Sequence, residues 1–109
     1  MTGIKNMEQA AVLTLKEQVA YQPGQVVSKT LQQNAAVSIT LFAFDEGEEI
    51  STHAAGGDAL VVCLDGQGRI TIDGEPHTLT AGDCIIMPAG HPHAVYAEKR
   101  FKMLLTVAF

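Results

Sequence analysis

Turn chemistry recurs along this chain at short, even intervals, and that spacing limits the fold more than any other feature. Breaks fall at Tyr21-Gln22-Pro23-Gly24, Gln32-Gln33-Asn34, Gly56-Gly57, Asp65-Gly66 and Asp73-Gly74. Further breaks fall at Thr80-Ala81-Gly82-Asp83, Pro88-Ala89-Gly90 and Glu98-Lys99-Arg100. In such breaks Pro fixes φ, while Gly and Asn tolerate the left-handed region. The apolar or alternating runs between them number about nine from residue 25 to residue 109, and a spacing of roughly eight to twelve residues indicates an all-β sandwich or barrel. Asp73-Gly74 lies between two short runs and is the strongest hairpin signal in the chain. No helical periodicity is long enough for a parallel α/β unit.

Residues 36–44, AVSITLFAF, are apolar at both parities, so both faces of that strand need a cover. In residues 101–109 Phe101, Met103, Leu105, Val107 and Phe109 share one face by the two-residue period. The first residues are less definite. Residues 1–6 read as a loose tail, Asn6 with Gln9 reads as the cap of a short helical turn, and residues 11–15 also read as a strand. Residues 1–24 are therefore expected to be an irregular or partly helical segment packing on a barrel formed by residues 25–109.

Hydrophobic residues make up 47% of the 109 and charged residues only 17%. A chain so apolar fills a core well or buries further surface in an oligomer, and a homodimer is expected. The net charge of −5 argues against nucleic acid. No run of apolar residues is long enough to span a membrane. The N-terminus lacks the apolar stretch of an export signal, so the expected location is the cytoplasm. Cys63 and Cys84 each sit in an apolar run and read as buried, unpaired thiols. No nucleophile elbow, phosphate loop or dinucleotide fingerprint is present.

Two histidines stand where a pocket would form. His93 opens a strand just past the rigid Pro88-Ala89-Gly90 corner, and His53 precedes Gly56-Gly57. Two readings stay open for them: neutral imidazoles hydrogen-bonded inside a barrel, or ligands of a divalent ion. His77 reads as solvent-facing, and the acidic loop at Glu46, Glu48 and Glu49 as solvated. Met87 and Cys63 read as core.

These segments resemble the two motifs of the cupin superfamily, above all its small, single-domain, conserved-barrel bacterial members. Gly82, Pro88, Gly90 and His93 stand in the places of the second motif, and Gly47, His53 and Gly66 match the first. The resemblance covers about residues 25–109 and implies a jelly-roll barrel of two antiparallel sheets, often dimeric. It also implies where the first motif departs from the pattern. The second histidine of the family's ligand set is Ala55 here, and the carboxylate is Ala59, or Asp58 if the Gly-Gly turn shifts the register. A metal site would then consist of His53 and His93, with Asp58 and His91 as further candidates, and would hold a divalent ion weakly. The pocket implied between the histidines is lined by Ala55, Ala59, Val61, Met87 and Val95. The expected function is binding of a small molecule in this apolar pocket, beside a degenerate metal site. The alternative is a metal-dependent enzyme of dioxygenase or isomerase type that uses His53, His93 and an unusual third ligand.

Overall fold

The structure is a computed structural model and describes residues 3–109. Seven antiparallel strands follow a single 3-10 turn at Leu15–Gln18. They are β1 (Val26–Gln33), β2 (Val37–Phe44), β3 (Glu49–His53), β4 (Asp58–Ile72), β5 (Glu75–Thr80), β6 (Cys84–Met87) and β7 (His93–Ala108). The two long strands, β4 and β7, pair with each other and carry all the others. Their outer ends, residues 58–65 and 101–108, lie in a five-stranded sheet ordered β1-β2-β7-β4-β6. Their other ends lie in a four-stranded sheet ordered β3-β7-β4-β5. The result is an all-β barrel of two antiparallel sheets that share two strands.

Seven strands replace the nine expected because two of the expected breaks are corners within a strand. The β4–β7 register slips between Cys63 and Asp65 and again between Gly66 and Gly68. Such slips bend a strand sharply without ending it. Gly66 has φ +75°, and a Cβ there would lie 1.6 Å from the Arg100 carbonyl oxygen. At Gly68 a Cβ would lie 2.6 Å from the Phe101 ring. These glycines let β4 cross β7 closely at the corner, and residues 98–100 remain in the strand. The Asp73-Gly74 hairpin is as expected: Ile72 pairs with Glu75, and both turn residues have positive φ, 52° and 82°.

The core lies between the sheets. Phe44, Phe101, Ile70, Met103, Val61 and Val95 are its largest fully enclosed members, and Phe44 packs against Phe101 with ring centroids 5.6 Å apart and the rings tilted by 39°. Burying a side chain of this size contributes roughly 1.5–3 kcal/mol. Strand β2 is apolar on both faces for a reason internal to this chain. Phe42 and Phe44 face the core, while Leu41 and Ala43 join a second cluster with Val19 and Leu31, against which Met7, Leu15, Tyr21 and Leu104 pack. The N-terminal segment thus lies on the outer face of the five-stranded sheet. Polar contacts hold it there: the Tyr21 hydroxyl donates to Asp65 at 2.6 Å, Lys29 to the Gln18 carbonyl and Lys102 to the Lys16 carbonyl.

Four local expectations are corrected. Residues 3–6 are tied down, since Lys5 donates its amide to Leu31 and Asn6 its side chain to Thr30; Met1 and Thr2 lie outside the described residues. Asn6 makes that contact across to β1 and caps nothing, and residues 11–15 form no strand. Cys84 is exposed, because β6 is a four-residue strand alternating between core and solvent, with Met87 on its inner face. Cys63 is buried, and neither cysteine is in a disulfide.

Candidate functional site

The two histidines meet because β3 adds to the edge of β7. Glu49 pairs with Tyr96 and Ile50 with Val95, and after a register slip His53 comes directly opposite His93. Opposite residues of an antiparallel pair share a face. Their Nε2 atoms are 3.0 Å apart, with the rings edge-to-face at 74°. His93 is buried, at 2% exposure, whereas His53 stands at the rim, open to solvent.

The hydrogen bonds fix the protons of this pair. His53 Nδ1 lies 3.0 Å from the Ser51 carbonyl, which can only accept, so Nδ1 carries the hydrogen and Nε2 a lone pair. The hydrogen between the two rings therefore belongs to His93 Nε2. His93 Nδ1 is then bare, and it makes no hydrogen bond although it is buried. Burial, and after it the charge His53 would bring, hold His93 below the usual imidazole value of 6.5, with the His91 carbonyl acting in the opposite sense. Unfolded chains therefore bind more protons than folded ones just below that value, and stability rises with pH there. Urea midpoints should be flat above pH 6.5, decline as pH falls toward the lower folded value, and decline no further on this account below it. His93→Gln should remove that part of the slope; an unchanged slope would assign it to other groups.

Beside the pair lies a cavity of about 130 Å³. His53, His93, Ala55, Ala59, Met87 and Val95 are in its wall. Phe42, Ile50, Met103, Leu105 and Val107 complete it and were not foreseen as pocket residues. For Met103, Leu105 and Val107 the signal was present in the two-residue period of residues 101–107, but periodicity gives a face and not which part of it stays unfilled. Val61 is fully buried in the core and is not part of the wall.

Asp58 and His91 are engaged elsewhere. Asp58 accepts the Ala89 amide at 2.9 Å, and the Gly90 amide donates to the Ala55 carbonyl. Together these contacts clamp the Pro88-Ala89-Gly90 corner that leads into His93. His91 Nδ1 lies 2.6 Å from Asp73 at the exposed hairpin, half open to solvent. Its side chain is held outward by that carboxylate, two residues and one proline away from His93. Among the described residues no third His, Cys, Asp or Glu joins the pair. Iron or manganese in a barrel of this kind needs three or four donors, with oxygen ligands prominent. Two nitrogens beside the methyl groups of Ala55 and Ala59 do not fit such an ion.

A larger, open groove of about 760 Å³ runs along the outer face of the five-stranded sheet, between the N-terminal segment and Leu31, Ile39 and Leu104. It is the seam between segment and sheet, and Glu8, Gln9 and Thr106 are the polar side chains in its lining. No helix among the described residues is long and apolar enough to cross a membrane.

A family model described as a cupin domain matches residues 40–109. Among solved structures, a conserved protein of unknown function from Streptococcus pyogenes is 45% identical, with a TM-score of 0.96 over 99% of this chain and 95% of that one. A cupin superfamily protein from Desulfitobacterium hafniense is 34% identical, with a TM-score of 0.94 over 99% of each chain. A salicylate 1,2-dioxygenase from Pseudoaminobacter salicylatoxidans shares the fold at 18% identity, with a TM-score of 0.72 over 85% of this chain and 27% of that one. No curated protein matches the chain. The matched stretch runs from within β2 through His53 and His93 to the end of β7, and the chain belongs to the cupin family.

Proposed function

We propose that this protein binds a small, largely apolar, uncharged molecule in the cavity beside His53 and His93. Support comes from one feature: in an otherwise apolar wall, the only polar side chains are two imidazoles whose Nε2 atoms converge at 3.0 Å. A pocket of this kind takes its affinity from the apolar lining and its orientation from the few polar atoms. Cavities of about 150 Å³ hold a benzene-sized guest. At about 130 Å³ this one suits a ring or short chain bearing a single hydroxyl or carbonyl. If the two rings part to admit such a group, they offer it the His93 Nε2 hydrogen as donor and the His53 Nε2 lone pair as acceptor, and they offer no charge to an anion. Phenol is a suitable probe. It should shift the imidazole signals of His53 and His93 in NMR titration, with benzene binding more weakly, and Ala59→Leu should block both by filling the cavity. Phenol that perturbs only Ile39 and Leu104, in the outer groove, would overturn the reading.

The same reading places the protein in the cytoplasm, consistent with two unpaired cysteines. It also keeps the homodimer, on different grounds from the sequence argument, because the outer face of β2 is covered by the chain's own N-terminal segment. Ile4, Val12 and Phe109 are exposed singly, whereas on the β4–β6 ladder Leu60 and Ile86 pair and are 38% and 59% exposed, an apolar patch on a strand face. A second copy meeting this face would bury it. Sedimentation equilibrium at micromolar concentration should give twice the chain mass, falling to the single-chain mass with Ile86→Glu; a single-chain mass for the unaltered protein would exclude the dimer.

A further inference from the structure

We propose that the cavity is a site for a soft monovalent metal ion of the copper(I) class, held by the Nε2 atoms of His53 and His93 and the thioethers of Met87 and Met103. This rests on the reading that the cavity is a ligand site, and it goes beyond that reading by adding a charged ligand to the uncharged one.

The donor types come first. Both methionines are in the cavity wall with both histidines. Met87 lies directly across the β4–β6 ladder from Ala59, where the family's pattern has a carboxylate. Met103 lies on β7, paired with Phe42 of β2. The oxygen ligand is missing from this wall, and sulfur is present. Thioether sulfur with imidazole selects copper(I) among biological metals, whereas carboxylate and water suit magnesium, manganese and iron(II).

Charge points the same way. No carboxylate or other charged side chain is in the wall, so every donor there is neutral. The cost of moving an ion out of water rises with the square of its charge, so a divalent ion carries about four times the penalty of a monovalent one. With only neutral donors, nothing in the wall offsets the difference.

Geometry also permits it. Metal–nitrogen bonds of about 2.0 Å at a tetrahedral angle put two donor nitrogens about 3.3 Å apart. The observed 3.0 Å needs a few tenths of an ångström of opening, together with a turn of both rings that aims the two lone pairs at one point beside the line between them. His53 already presents its Nε2 lone pair, since Ser51 holds the hydrogen on Nδ1. His93 would present its own by carrying its hydrogen on Nδ1, an atom with no hydrogen bond to lose. The ion would then replace the hydrogen between the rings, and no net proton need leave the pair.

The test uses full-length protein carrying Cys84→Ser, because that exposed thiol would compete for the ion. Silver(I) serves as a redox-inert probe, followed by copper(I) under anaerobic competition with a chromogenic chelator. One equivalent of silver(I) should shift the methyl signals of Met87 and Met103 and the imidazole signals of His53 and His93, and leave Met7 unmoved. Met87→Leu and Met103→Leu should each weaken copper(I) binding by about tenfold or more. Zinc(II) should bind far more weakly than copper(I). The proposal is overturned if silver(I) moves neither methionine methyl, or if Cys63→Ala abolishes binding while the leucine variants do not. Phenol binding that survives such a failure would leave the cavity as a small-molecule site and remove only the ion; loss of phenol binding as well would remove both.

Discussion

Gly66→Ala should destabilise the protein by at least about 3 kcal/mol, a large share of the 5–15 kcal/mol that holds a domain together. Two costs add at this residue. Its φ of +75° is strained for any residue with a Cβ, by roughly 1–2 kcal/mol. The new methyl would also sit 1.6 Å from the Arg100 carbonyl oxygen and 2.6 Å from its carbon. Both are backbone atoms of the paired strand, so relief requires the β4–β7 corner to open. Gly74→Ala separates the two costs, since its φ is +82° and no atom outside the turn lies within 4 Å of the added Cβ. That variant should lose only about 1 kcal/mol. Urea unfolding of the pair would decide: equal losses would mean that the corner does not depend on the close approach.

Ala55→His combined with Ala59→Glu should raise affinity for manganese or nickel by at least about a hundredfold, because each well-placed donor adds to a chelate. Ala55 and Ala59 are both in the wall with the histidine pair, so the new side chains start from positions beside it. The native protein should bind these divalent ions weakly, having two nitrogens and no oxygen donor in the wall. The variant should be less stable without metal, since an ionised carboxylate is costly in an apolar cavity, and should regain stability when metal is added. Titration calorimetry on both proteins provides the measurement. Nanomolar manganese binding by the native chain, or no gain in the variant, would show that the donor set has been misjudged.

Local chemistry that acts over two or three residues was legible in the sequence. Asp73-Gly74 forms the hairpin where expected because positive φ is a property of those residues. His53 and His93 are visible as a pair only through the family's motifs, since nothing local to either residue reports the other. Asp65-Gly66 read as a strand end because a glycine that stops a strand and one that permits a close crossing look the same in one dimension. The facing carbonyl of Arg100 makes the difference, and it is 34 residues away. His91 shares its alternation parity with His93, but Pro92 between them breaks the strand pattern and Asp73 holds the ring outward. The cover over the outer face of β2 was foreseen as a need. Its source, residues from Met7 to Tyr21, has too little periodicity to announce a partner.

Strand β7 is the common neighbour of β2, β3 and β4, and it is the last of the seven in chain order. During synthesis, which runs from the N-terminus, six strands and the segment that covers them emerge before the strand that joins them exists. Only the β1–β2 hairpin and the β4, β5 and β6 ladders can pair in that interval, each with an apolar face still open. Asp58 must wait for Ala108, 50 residues on, and contacts so distant in sequence make folding slow. The histidine pair is subject to the same delay, because His93 arrives on that final strand. The cavity beside the histidine pair is therefore absent from a nascent chain until β7 has joined the barrel.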